Sequence, residues 1–151
     1  MRPRHEIPEA LEKKYGRNTK TMYHRAIRAE FSFGDELLDF SEVLHKLGFR
    51  KDCTREVRDF LRDSCNRVYA VKNILIDEIN RRYKNSEQPD NSFQAIEFLE
   101  LWLKDLNDYK ESNLQNDTRK TVDVVRRLVK TVIKRYLEGT QEQQHSHEDE
   151  T

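Results

Sequence analysis

The residues best placed to do chemistry are cations. Within Asp117–Leu137 seven basic residues stand against two acidic ones, a local net of +5. At 100° per residue, Lys120, Arg127, Lys130 and Lys134 fall on one helix face opposite a valine stripe, with Arg119 and Arg126 flanking. Such a face can hold the phosphates of a nucleic acid or the carboxylates of an acidic peptide. The plain alternative is a solvated face that keeps the helix soluble. No aromatic residue interleaves these cations, as a single-strand binder would want. Residues 1 to 30 add eight basic against four acidic residues, and a larger basic patch forms if the two faces adjoin.

Arg17 and His24 have six residues between them in RNTKTMYH. The spacing resembles the Arg–His motif of HEPN-type ribonucleases, which are also helical bundles. The resemblance implies that this arginine and histidine act on RNA phosphodiesters. Here the pair lies on an early helix and not a late one, and the polar residue after the arginine, Asn18, also reads as a helix cap.

Other chemistry is sparse. His145 and His147, with Glu148 and Asp149, can bind a metal only as a weak tail site, and a plain polar tail accounts for them as well. Cys53 precedes a helix whose dipole can lower a thiol pKa, but no paired base stands at an identifiable spacing. The four glycines, Gly16, Gly34, Gly48 and Gly139, read as helix punctuation and form no phosphate loop. No motif therefore calls for a catalytic residue, a metal or a cofactor.

The elements that position these groups are helices. Charged residues make up 37% of the 151, and Gly plus Pro number only seven, as suits helices joined by short loops. The central stretch runs from Thr54 to Lys84, with apolar residues at Val57, Leu61, Val68, Val71, Leu75, Ile79 and Tyr83. Between Val68 and Ile79 the apolar set widens to include Tyr69, Ala70, Ile74 and Ile76. This predicts a half buried on most sides and acting as the hub. The run Asp63 to Asn66 is its weakest helix-forming part and allows a kink. Asp52 or Thr54 can cap the start.

Before it, Pro8 to Gly16 predicts a short helix with Ala10, Leu11 and Tyr15 inward. Asn18 or Thr19 caps a second, with Met22, Tyr23, Ala26, Ile27 and Phe31 inward. A third carries Phe33, Leu37, Phe40, Leu44 and Leu47, and Gly48–Phe49 reads as a left-handed Schellman ending with Phe49 against Leu44. After the loop 85–91 a helix presents Ile96, Leu99, Leu103 and Leu106 inward. Phe98, Leu101 and Trp102 lie beside or beyond that stripe. They are either covered by a second neighbour or form an apolar surface for a partner helix. The last helix carries Val122, Val125, Val129, Val132, Ile133 and Tyr136 and is predicted to end at Gly139.

The fold class is thus all-α: one bundle of five to six helices over residues 7–139, a flexible segment 1–6 and a disordered tail 140–151. Overall charge is zero, so no net field favours nucleic acid. Locally, acidic residues at Asp35, Glu36, Asp39 and Glu42 and across 90–111 oppose the basic stretches, which permits self-association. Cys53 and Cys65 on one helix stand about 18 Å apart along the axis, too far for a disulfide, which fits a reducing intracellular compartment. No apolar run is long enough to cross a membrane. The function expected from this pattern is a non-enzymatic adaptor or regulatory module that binds a protein partner, a helix or an acidic peptide. Nucleic-acid binding through the basic face and a HEPN-like ribonuclease are the alternatives.

Overall fold

The computed structural model describes residues 7–50, 52–84, 90–110 and 114–149, with the side chains of 110 and 141–149 left aside. Six helices follow in order: α1 (Glu9–Tyr15), α2 (Thr19–Glu30), α3 (Gly34–Gly48), α4 (Arg55–Tyr83), α5 (Phe93–Lys110) and α6 (Asn116–Asp149). No strand occurs among the described residues. The expected flexible segment 1–6 lies outside them.

Capping residues fix the early boundaries. Asn18 opens α2, its side chain accepting from the Thr21 N–H at 3.4 Å. Thr54 opens α4 by accepting from the Val57 N–H at 3.3 Å. Each satisfies one of the donors that a helix start leaves unpaired. Gly16, at φ 101°, ends α1 in a conformation that side-chain-bearing residues rarely adopt.

The helix α4 packs against all five others, which makes it the hub that the sequence predicts. Val68, Val71, Leu75 and Ile79 are buried along its seam. The second half is nevertheless not covered on most sides. Tyr69 is 53% exposed, and Ala70, Ile74 and Ile76 are only partly covered. The weak run at 63–66 stays helical, and Ser64, fully buried in it, satisfies its hydroxyl by donating to the Phe60 carbonyl at 3.0 Å.

Two boundary expectations need correction. Gly48 is the last residue of α3 and has no left-handed backbone, and Phe49 is 83% exposed instead of lying on Leu44. The helix ends in tighter turns, with the Phe49 N–H on the Lys46 carbonyl at 3.3 Å and the Arg50 N–H on that of Leu47 at 3.4 Å. Gly139 lies inside α6 and does not end it. A Cβ there would overlap the Ser32 side chain, so the missing side chain lets α6 press against the α2–α3 turn.

Candidate interaction surfaces

The valine stripe sets the orientation of α6. Val122, Val125, Val129 and Val132 are buried against α3, α4 and α5, which turns the opposite face to solvent. Lys120, Arg127, Lys130 and Lys134 are all exposed on that face. Val124 and Leu137 are exposed on it as well. Lys134 reaches Glu138 at 4.0 Å, an exposed pair of little strength. Lys120, Arg127 and Lys130 have no ion-pair partner among the described residues. Arginines elsewhere differ: Arg28 meets Asp35, Arg67 meets Asp105, Arg82 meets Asp90 and Arg135 meets Glu36. Among the described residues the backbone of α6 does not come within 8 Å (Cα to Cα) of α1 or α2, so close helix packing does not join this ridge to the basic N-terminal stretch.

The apolar trio on α5 divides. Trp102 is 2% exposed, stacked on Phe40 with ring centroids 5.6 Å apart and planes 18° from parallel. The Arg67 guanidinium lies over the indole ring, 5.8 Å from its centroid. It belongs to the core, because the helix turns it toward α3 and α4. Phe98 is half-covered, and Leu101 is 66% exposed.

Arg17 is exposed in the link before α2, and His24 sits partly covered on that helix. No polar contact joins them among the described residues. His24 is held below its ordinary pKa by burial first and then by Lys72, Lys20 and Arg28. The tail histidines His145 and His147 lie outside the described side chains. Among the described residues no group of three or more His, Cys, Asp or Glu is placed to hold a metal. Cys53 and Cys65 are free thiols. Burial pushes the Cys65 thiol up, away from a reactive thiolate.

Two charged groups on the α4 seam lie outside the periodic apolar pattern. Lys72, four residues after Val68, is 9% exposed, and its Nζ donates to Ser41 Oγ at 3.0 Å. Burial holds its pKa below the usual lysine range. Glu78, three residues after Leu75, is buried beside Arg81 and Arg82 and accepts from the Asn91 N–H at 3.1 Å. Both spacings were visible as charged residues at apolar-seam positions. Near Glu78, Glu30 accepts from Tyr15 at 2.9 Å and Tyr83 at 2.8 Å, and Arg82 bridges onward to Asp90 at 2.8 Å. Burial, then the Glu30 hydrogen bond, raises the Tyr15 pKa. This network ties α1, α2, α4 and the entry to α5, and its acids are already engaged as acceptors.

No family model, no curated protein and no solved structure matches the chain. No helix among the described residues is long and apolar enough to cross a membrane.

Proposed function

We propose that the protein is a non-enzymatic helical interaction module, and that the outer face of α6 receives an acidic, partly apolar segment of a protein partner. One observation carries this reading. Lys120, Arg127 and Lys130 stand in solvent without carboxylate partners, with the exposed aliphatic side chain Val124 between them and Leu137 further along the helix. Cations with aliphatic neighbours suit a segment bearing carboxylates on one edge and apolar side chains on the other. A nucleic acid offers phosphates to the lysines but no use for the two aliphatics, and no exposed aromatic lies on the ridge for bases to stack on. The engaged buried acids support a structural role for the α4 network, and the two free cysteines suit a reducing intracellular setting.

The test is an anisotropy titration with two probes, a labelled acidic amphipathic peptide and a labelled single-stranded RNA. Wild-type protein should bind the peptide, and K120E/R127E/K130E should lose it while melting as wild type does. Preference for the RNA, with log affinity falling by about 0.7 per phosphate contact per decade of salt, would instead establish the nucleic-acid reading. RNA cleavage abolished by Arg17→Ala or His24→Ala would overturn the non-enzymatic reading altogether.

A further inference from the structure

Two grooves flank the first half of α4, and their chemistry is opposite. The groove on the α3 side, about 320 Å³, is lined by His45, Arg58 and Arg62 and by no carboxylate. Phe49 stands at its edge, 83% exposed, with the exposed cations Lys46 and Arg50 beside it in sequence. The groove on the α5 side, about 350 Å³, is walled by four carboxylates, Glu56, Asp59, Asp63 and Asp105, against the single guanidinium of Arg67. Its floor is apolar: Phe60, Trp102, Leu106 and Tyr109, with the Phe60 and Tyr109 rings 5.5 Å apart.

Phe49 is the most exposed aromatic among the described residues, ahead of Tyr69 at 53% and Phe93 at 44%, and it stands beside cations. We infer that the α4–α5 groove is a docking site for the Phe49 corner of a second copy of this chain. The ring would lie on the Phe60–Tyr109 floor while Arg58 and Arg62 face the carboxylates around it. Charge complementarity supplies the orientation and the aromatic contact supplies the anchor. Arg67 does not cancel the acidic wall, because it is one cation already shared between Asp63 at 3.0 Å and Asp105 at 3.1 Å. Asp59 has no ion-pair partner among the described residues and is the carboxylate left for the incoming arginines. The corner and the groove share no residue, so one copy can use both at once. Each contact joins unlike surfaces, so copies can add head to tail.

Sedimentation velocity on the full chain tests this without knowledge of any outside partner. Wild-type mass should rise with concentration toward the millimolar range and return to one chain in about 0.5 M salt, where surface charges are screened within a few ångströms. F49S/R62E removes the corner, and D59R/Y109S removes the groove. Each should sediment as one chain under all conditions, with a helical spectrum and melting curve showing that it is folded. Mixed in equal amounts, the two variants retain one intact corner and one intact groove, and should form pairs that grow no further. Wild-type protein that stays a single chain at low salt overturns the inference. So does a folded variant that still associates, or a mixture that shows no pairing. The α6 ridge is untouched by these substitutions, so retained peptide binding separates this result from the test of the proposed function.

Discussion

Replacing Trp102 by alanine distinguishes a core residue from a docking anchor. The indole is 2% exposed and stacked on Phe40. A buried tryptophan removes about 200 Å² from water, which at about 25 cal/mol per Å² corresponds to roughly 5 kcal/mol. The stack on Phe40 adds about 1 kcal/mol, and the alanine methyl together with partial collapse of the cavity returns some of this. The net loss should be about 4 kcal/mol, a large part of the roughly 5–15 kcal/mol that holds a domain of this kind together. With a urea slope of about 2 kcal/mol/M, the unfolding midpoint should fall by about 2 M. Leu101→Ala is the control on the same helix. Leu101 is 66% exposed, so its change should stay within about 0.5 kcal/mol. Because Trp102 is the sole tryptophan, its fluorescence reports the same site, and native emission should resist quenching by a soluble quencher. Trp102→Ala unfolding within about 1 kcal/mol of wild type would refute the packing argument.

Three further substitutions probe other parts of the fold. Lys72→Met keeps the apolar stem and removes the buried amine. The folded lysine holds its proton less tightly than the unfolded one, so stability rises with pH from the depressed folded value up to the ordinary 10.5. The methionine variant should lose that rise in pH-dependent urea titrations; an unchanged slope would place the proton elsewhere. Gly139→Val should cost about 1–3 kcal/mol through overlap with Ser32, and a Ser32→Gly partner should recover part of it in a double-mutant cycle. Thr54→Ala should cost about 1 kcal/mol by leaving the Val57 N–H uncapped, measured by the same denaturation.

Helical periodicity carried most of the fold. The valine stripe of α6, the Leu–Phe seam of α3 and the caps Asn18 and Thr54 were legible because local spacing and local hydrogen bonds decide them. What failed depended on neighbours far along the chain. Tyr69 and Phe49 are apolar by type yet face solvent, because no helix passes over them. Lys72 and Glu78 are charged by type yet lie on the seam, because Ser41 and the α4–α5 link supply partners that periodicity cannot reveal. Gly139 looked like a stop because glycine ends helices more often than it makes room for a crossing turn. The α6 cations are exposed because they oppose the valines, while Trp102 on α5 was placed by packing against α3 that no spacing rule specifies.

A partner bound to the outer face of α6 must leave its footprint there. A backbone-amide NMR titration with an acidic amphipathic peptide measures this residue by residue. Shifts should concentrate on Lys120, Val124, Arg127, Lys130, Lys134 and Leu137, and vanish for K120E/R127E/K130E. Shifts centred instead on Arg17 and His24, or no shifts at millimolar peptide in low salt, would contradict an interaction surface on α6.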